Sequence, residues 1–396
     1  MQAAGRSEQA GGAMAQLRAA AQAAARSGGG APAASDQEDQ EFVGRGRSMQ
    51  ALNPEISVNS DVFGYVNKDD NATNNFFARE FEISLISNLD PYSRAKVFIS
   101  RHSPGGDVAP FEADGHEEEG EGFSVEEGYI EWVGLPGGIG VKLGRFAQQF
   151  GQLNRWHAHA LPFQSRSLPH LAFIGEEFLA QTGASVHWLA PIGGASGTYE
   201  ATVELTRSEN ETLFGESGRL SVLTHVNGFW NLSSSVDFDL GVSWLNGSYE
   251  DETHFADRNL YGVEAAFNWR PPGRSGYRGL MLRGGMMAVD LLPSSEDASE
   301  PRLPGQAKRA LGFWGLGELR LSQTWLVGAR VGRTENPANP DETAWMFSPT
   351  LTRWQSEFVR LRLEYDMLGR SFRTDREGHL LFQVTFAMGP HKHETY

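Results

Sequence analysis

The sequence predicts an all-β fold in which antiparallel strands close into a barrel that crosses a membrane. Three observations support this fold. Short segments alternate apolar and polar side chains, tight and long connections between them alternate along the chain, and tryptophans gather beside the tight connections. The clearest alternation runs from Val359 to Tyr365, where apolar residues interleave with Arg360, Arg362 and Glu364. A membrane barrel turns such an apolar face outward to lipid, whereas a soluble sandwich buries it.

About sixteen segments carry this alternation. We expect strands near 55–66, 76–89, 93–102, 123–134, 139–146, 182–190, 197–207, 218–229, 233–246, 258–270, 278–289, 310–322, 325–333, 344–354, 358–365 and 379–388. Connections after even-numbered strands are tight, and those after odd-numbered strands are longer and polar. Bacterial outer-membrane barrels have an even strand number, short periplasmic turns and long outer loops. The parity therefore favours such a barrel over a soluble all-β protein.

Six tryptophans lie within a few residues of a tight connection: Trp132, Trp188, Trp230, Trp269, Trp325 and Trp354. In a barrel they would gather at one rim, where amphipathic rings suit the membrane interface. The alternative is ordinary packing of tryptophan near strand ends.

Composition excludes several classes of protein. No run of 18 apolar residues occurs, so a transmembrane helix is not expected. The chain has no cysteine, which excludes disulfide scaffolds, thiolate zinc sites and cysteine nucleophiles. Its net charge of −16 argues against nucleic acid as a partner.

We divide the chain into a flexible leader at residues 1–52, a barrel at 53–388 and a periplasmic tail at 389–396. The leader is rich in alanine and glycine, and Met14–Arg26 is compatible with a short helix. Its start lacks the apolar centre of a signal peptide, so we expect a mature chain, a truncated chain or a misplaced start.

Charged side chains on the polar faces are expected to line the barrel lumen. The acidic set is Glu200, Glu204, Asp237, Asp239 and Glu264, and the basic set is Arg283, Arg320, Arg330, Arg360 and Arg362. Opposed acidic and basic walls would create a transverse field across a wet interior. The alternative is that these charges are solvated and paired with neighbours.

The connection at 147–181 is the longest and is unusually apolar. An exposed loop of this composition would be a liability, so we expect it to fold inward as a constriction. Its candidate constriction residues are Asn154, Trp156, His157, His159, Phe163 and Arg166.

This loop also holds candidate metal ligands. His157 and His159 are two residues apart, which on an extended segment places both imidazoles on one side, and His170 is a weaker third candidate. Imidazole with carboxylate suits zinc, although no cofactor is required by the pattern. The alternative is that these histidines hydrogen bond the loop to the wall. His391 and His393 repeat the spacing in the tail, where we expect them too far away to share an ion.

Several segments resemble one family of outer-membrane proteins. They are LNPEISVNSDVFGYV, VEEGYIEW, LGRFAQQFGQLNRWHAHALPFQSRSLPHLAFIGEEF, TGASVHWLAP and GPHKHETY. Together they are similar to a Gram-negative group labelled zinc-regulated TonB-dependent receptors, close to the porins. The resemblance implies an outer-membrane location and makes zinc a candidate solute or regulator at His157 and His159. TonB-dependent transporters have 22 strands and a plug, and this chain departs from that pattern by its length.

The expected function is a porin-like channel for passive diffusion of small hydrophilic solutes or ions. Expected partners are outer-membrane lipid and lipopolysaccharide, and a homotrimer is expected by analogy with porins. One alternative is a plugged structural or adhesive barrel. Another is an outer-membrane hydrolase, for which His102, His225 and His254 have acidic or hydroxyl neighbours in sequence but no recognisable nucleophile pattern.

Overall fold

In a computed structural model the described residues are 54–67, 74–102, 109–111, 122–194, 197–251, 255–291 and 308–389. They contain sixteen strands, as the alternation predicts. The strands are β1 Glu55–Asn67, β2 Asn75–Asn88, β3 Ser93–His102, β4 Ser124–Leu135, β5 Ile139–Ala147, β6 Ala180–Gly194, β7 Gly197–Arg207, β8 Leu220–Ser233, β9 Val236–Glu250, β10 Phe255–Trp269, β11 Gly279–Asp290, β12 Arg309–Arg320, β13 Trp325–Glu335, β14 Thr343–Trp354, β15 Val359–Arg370 and β16 Glu377–Met388.

Each strand pairs antiparallel with its neighbours in sequence, and β1 pairs with β16 to close the barrel. Closure leaves no strand edge exposed, which is the requirement for a sheet in lipid. The fold class predicted from the sequence is confirmed: the chain forms a closed, sixteen-stranded antiparallel β-barrel.

The two faces of the sheet differ as the alternation predicts. On β15, Leu363 is 43% exposed on the outside, whereas Arg362 and Glu364 are 2% and 1% exposed on the inside. The same alternation continues beyond the predicted end at 365, since Asp366 and Leu368 are also buried. The apolar surface of this barrel therefore faces outward and its charged surface faces the lumen.

Most of the predicted tryptophan rim lies on the outer surface beside the tight turns. Trp188 and Trp325 are 42% and 38% exposed there. Trp354 is different because it continues the inward row of Thr350 and Thr352, and the guanidinium of Arg360 lies 5.7 Å from its ring. Trp345, near the other rim, is exposed, so aromatic rings occur towards both ends of the strands.

Two of the β-bulges in the sheet lie on β2 and β4, on either side of β3. The β1–β2 register shifts after Asp61, which leaves Arg79 as the extra residue on β2. The β3–β4 register shifts after Phe98, which leaves Glu126 as the extra residue on β4. A bulge re-aims side chains locally, and here each bulge turns two consecutive charged residues inward.

Residues 148–179 lie inside the barrel between β5 and β6. They form 3₁₀ turns at Leu153–Arg155 and Ala158–Ala160 and one short helix, α1, at Leu168–Phe173. A second short helix, α2 at Glu211–Phe214, buries Leu213 and Phe214 against β9 and the same loop. No helix in the described ranges is long and apolar enough to cross a membrane. The predicted leader helix and the predicted tail, including His391 and His393, lie outside the described residues.

Candidate functional site

The constriction loop, defined as residues 147–181, leaves and rejoins the wall at neighbouring points. Ala147 pairs with Ala180 in the β5–β6 ladder, and Gln148 donates a backbone hydrogen bond to Leu179 at 2.9 Å. Asn154 is fully buried and donates to the carbonyls of Gln148 and Leu179 at 2.8 and 3.1 Å. It also accepts from the Leu179 amide at 2.8 Å. This predicted constriction residue therefore joins the two ends of the loop.

Arginines of the basic wall donate to loop carbonyls. Arg360 donates to His159 at 2.5 Å and to Leu161 at 3.2 Å, and Arg362 also donates to Leu161, at 3.1 Å. Arg330 donates to the Ser165 carbonyl at 2.6 Å. Charge-assisted hydrogen bonds are stronger than neutral ones, so these arginines fix the loop backbone.

Carboxylates of the acidic wall accept from loop amides on the opposite side. Glu204 accepts from the Gln149 amide at 3.3 Å, and Glu264 accepts from the Gln152 amide. Asp239 accepts from the Gln152 side chain. The loop therefore lies between carboxylates of β7, β9 and β10 and arginines of β13 and β15, and it hydrogen bonds to both groups, whereas Arg283 on β11 neighbours the acidic strand β10.

The remaining predicted lining residues lie elsewhere on the inner face. The guanidinium of Arg283 stacks 4.9 Å from the ring centre of Trp156. Asp237 pairs with Arg270 at 2.8 Å near the tight-turn rim, where Arg320 also lies. Glu200 is half-buried on the inner side of β7. Glu200, Asp237 and Arg320 all lie towards this rim.

The wall is shaped to receive apolar loop side chains. A Cβ atom at Gly262 would lie 2.8 Å from Phe150, and one at Gly312 would lie 2.7 Å from Pro169. Phe163 is 1% exposed, and the Arg330 guanidinium lies 5.0 Å from its ring centre. Since contacts this close require glycine on the wall, the loop and barrel are packed as one unit.

His157 lies among three carboxylates where the constriction loop meets β2 and β4. Its Nδ1 is 2.7 Å from Glu82 and 2.8 Å from Glu126, and its Nε2 is 2.8 Å from Glu127. Burial disfavours the charged imidazole, but these carboxylates outweigh it and raise the pKa of His157 well above its ordinary value.

His159 has a different partner. Its Nδ1 lies 3.0 Å from Glu80, and its backbone amide donates to the same carboxylate at 2.9 Å. The His157 and His159 ring centres are 6.0 Å apart. The structure has a 3₁₀ turn at Ala158–Ala160 instead of the expected extended segment, and the two imidazoles have different nearest carboxylates. Joint binding of one ion by His157 and His159 stays a prediction.

His170 is not close to this cluster. Its Nδ1 lies 2.6 Å from the Ser167 hydroxyl, and its ring packs at 6.1 Å against Trp314. Burial, with a contribution from Arg166, lowers the pKa of His170 to about 3. The position of the His170 side chain therefore does not support it as a metal ligand.

Burial also lowers the pKa of Arg166 to about 10. The Arg166 guanidinium donates to the Leu153 and Trp156 carbonyls at 2.9 and 2.7 Å.

We expect docking of α1 to weaken in acid because of His170. In a released loop the His170 imidazole takes up a proton near its ordinary pKa of about 6.5, whereas in the docked loop it stays neutral down to about pH 3. The contribution of His170 to docking is therefore fully present above pH 6.5, and it falls by about 1.4 kcal/mol per pH unit as the pH drops between these limits. Hydrogen exchange of peptides covering 165–175 should accelerate as pH falls, after correction for the intrinsic rate.

His170→Gln should remove most of this acid dependence, and His187→Gln, on the barrel wall, should leave it unchanged. Equal acid dependence in wild type and His170→Gln would contradict this origin.

Sequence reasoning missed the acidic residues on β2 and β4. Glu80 and Glu82 alternate with apolar neighbours. The alternation of inward polar and outward apolar residues, which was used to assign the later strands, would therefore have placed both on the inner face. The consecutive pair Glu126 and Glu127 gives no such signal, because a regular strand turns neighbours to opposite faces. Both are buried, at 6% and 7% exposure, since Glu126 occupies the bulge.

Of the histidines considered for hydrolysis, the two that the structure describes, His102 and His225, do not form a catalytic triad. His102 approaches Ser100 at 3.1 Å and Glu126, but both approach the same Nε2 atom. A triad needs the nucleophile and the orienting acid on different ring nitrogens. His225 lies 2.8 Å from Ser243, whose hydroxyl accepts from the Gly151 amide. His254 lies outside the described residues.

Comparisons of the sequence with known proteins give one relative and no family. No protein-family model matches the chain. An uncharacterised protein of Aquifex aeolicus is 27% identical over 404 residues, which cover 89% of this chain and 77% of that protein.

Solved outer-membrane structures share the barrel at low identity. OprB of Pseudomonas putida is 12% identical with a TM-score of 0.58, covering 86% of this chain and 96% of that chain. An anion-selective porin of Comamonas acidovorans is 11% identical with a TM-score of 0.57, covering 85% and 99%. A trimeric form of OmpT, an outer-membrane protein of Vibrio cholerae, is 8% identical with a TM-score of 0.53, covering 85% and 99%.

These likenesses define the class of fold as a porin-like outer-membrane barrel. The receptor label suggested by the sequence resemblance finds no support among them. The closed sixteen-strand sheet also differs from the 22 strands of TonB-dependent transporters.

Proposed function

We propose that the protein is an outer-membrane porin-like channel for passive diffusion of small hydrophilic solutes or ions, narrowed by the constriction loop. The observation that carries this proposal is the inward folding of that loop in a barrel whose charged side chains face the lumen. A sixteen-strand barrel is wide enough for an aqueous channel. The loop reduces that width, because its backbone forms hydrogen bonds with the basic wall and with the acidic wall of the lumen.

We propose a mild preference for cations. Several basic residues of the inner face are already engaged by loop carbonyls or by wall carboxylates. Arg330, for example, pairs with Glu364 at 3.1 Å and lies 3.5 Å from Asp366. The chain also has an overall charge of −16. Excess fixed negative charge raises the local concentration of cations.

Planar-bilayer recording tests the channel directly. Refolded protein should give stable conductance steps, and a salt gradient should give a reversal potential of the sign for cation preference. Protein that has been heat-denatured should give no steps. Absence of conductance from folded protein, or clear anion selectivity, would contradict the proposal.

A plugged structural or adhesive barrel is the second candidate. The apolar packing favours it, because Phe150, Phe173 and Ile174 of the loop form one cluster with residues from β8 to β12. A liposome-swelling assay separates the two candidates: a channel admits small sugars, and a plugged barrel admits none.

We also propose that zinc is a solute or regulator of this channel. We further propose that outer-membrane lipid and lipopolysaccharide surround the barrel. The outward apolar faces support a lipid environment. A homotrimer is proposed from the sixteen-strand architecture, and crosslinking in native membranes would test it. The zinc link depends on the carboxylates around His157.

A further inference from the structure

Four buried side chains converge where the constriction loop meets the wall. They are Glu80, Glu82, Glu126 and His157, and they form what we call the loop-wall cluster. Within the residues that the structure describes, each offers one ligand atom, and these atoms lie within 4.8 Å of one another. Two ligands of one tetrahedral zinc ion, each about 2.1 Å from it, are about 3.4 Å apart. Small side-chain rotations would therefore bring all four to one ion.

We propose that the loop-wall cluster binds one divalent transition-metal ion, which fastens the constriction loop to β2 and β4. The inference rests on the proposed channel, because His157 belongs to the loop that narrows it. The loop supplies one ligand and the wall supplies three, so the ion would bind only when the loop is docked.

The orientation of His157 fits a metal ligand. Nδ1 faces Glu82 and Glu126 at 2.7 and 2.8 Å, and Nε2 faces Glu127 at 2.8 Å. Ligating histidines commonly donate their other ring N–H to a carboxylate, which fixes the tautomer. Here Glu127 lies outside the four-residue cluster and would accept from Nε2, which leaves the Nδ1 lone pair directed at the other carboxylates.

Hydrogen bonds within the cluster leave one carboxylate oxygen in excess. Nδ1 carries at most one hydrogen, yet oxygens of both Glu82 and Glu126 lie within 2.8 Å of it. Glu82 is fully buried, and its Oε2 accepts no hydrogen bond with acceptable geometry. Its Oε1 accepts from Asn59, whose own buried Oδ1 also has no hydrogen-bond partner. A buried acceptor without a donor is costly, and a cation in the cluster would satisfy Glu82 Oε2.

The ligand types indicate the class of ion. Magnesium and calcium prefer sites made of oxygen ligands alone, whereas imidazole with carboxylate suits zinc, manganese or iron. Among the predicted ligands only His157 belongs to this set. His159 pairs with Glu80, and His170 packs elsewhere in the loop.

Isothermal titration calorimetry with Zn²⁺ on the full chain in detergent, after removal of metals with a chelator, tests the proposal. Wild type should bind one equivalent through this site. Glu126→Gln and His157→Gln should each weaken binding at least about tenfold, the order seen for altered metal shells.

Two control variants test whether the loss of binding is specific to the loop-wall cluster. Glu131→Gln changes another buried carboxylate of β4, which pairs with Arg94 at 2.7 Å, and His225→Gln changes another buried histidine. Both should keep the wild-type affinity, and circular dichroism should show that all four variants are folded.

No Zn²⁺ binding by wild type would overturn the proposal and leave the imidazolium alone as the partner of these carboxylates. Binding that survives in both Glu126→Gln and His157→Gln would also overturn it, by assigning the ion to another part of the chain. Conductance recorded from the same preparations separates the two ideas: steps without zinc binding contradict only the metal site, and zinc binding without steps contradicts only the channel.

Discussion

Replacing residues 150–177 with a short glycine-rich turn is expected to raise single-channel conductance at least about threefold, since the lumen of a sixteen-strand barrel is otherwise an aqueous channel. The two ends of the loop already lie together, because Ala147 pairs with Ala180 and Gln148 donates to Leu179 at 2.9 Å. A tight turn can therefore close the wall without moving β5 or β6. Planar-bilayer recording at fixed salt concentration would measure the change.

A second shortened loop provides the control. Residues 336–342 connect β13 to β14 and hydrogen bond among themselves, with Asn336 donating to Glu342 at 2.8 Å. Shortening this connection should leave conductance within the spread of wild type. Equal conductance in wild type and the 150–177 replacement would show that the constriction loop does not limit flow.

Strand number and the inside-outside arrangement could be predicted from the sequence because each depends on local periodicity. A period of two is sufficient to assign Arg360 and Arg362 to one face and Leu361 to the other. The alternation of tight and long connections also indicated which end of each strand lies at the periplasmic rim. The inward position of the constriction loop followed from its apolar composition, which an exposed loop could not carry.

The loop-wall cluster could be predicted only in part. His157 was identified from its spacing, but its partners depend on two bulges and on a 3₁₀ turn that a repeating pattern does not encode. The bulge at Glu126 places this residue and Glu127 on the same face, against the rule for a regular strand. The predicted role of the opposed charges was also incomplete, because composition did not indicate that they would hydrogen bond with amides and carbonyls of the loop.

Arg330→Met is expected to lower the free energy of unfolding by about 3–5 kcal/mol, the usual cost of removing one partner of a buried ion pair. Arg330 is 3% exposed, and the two carboxylates that surround it, Glu364 and Asp366, are 1% and 0% exposed. Methionine fills similar space but removes the cation that lies between these two carboxylates. It also removes the hydrogen bonds to the Ser165 and Arg166 carbonyls at 2.6 and 3.0 Å, so the loop should loosen as well. Guanidinium titration of the barrel refolded in lipid vesicles would measure the loss.

Burial explains why this arginine should differ from others of the barrel. Arg219 also pairs with a carboxylate, that of Glu250 at 3.1 Å, but these side chains are 56% and 40% exposed. Arg219→Met should therefore cost no more than about 1 kcal/mol. If the loss in Arg330→Met comes from the stranded carboxylates, adding Glu364→Gln should recover part of it, because the neutral amide needs no counter-ion. A loss in Arg330→Met no larger than that in Arg219→Met, or a double variant less stable than Arg330→Met alone, would contradict this account of how the basic wall holds the loop.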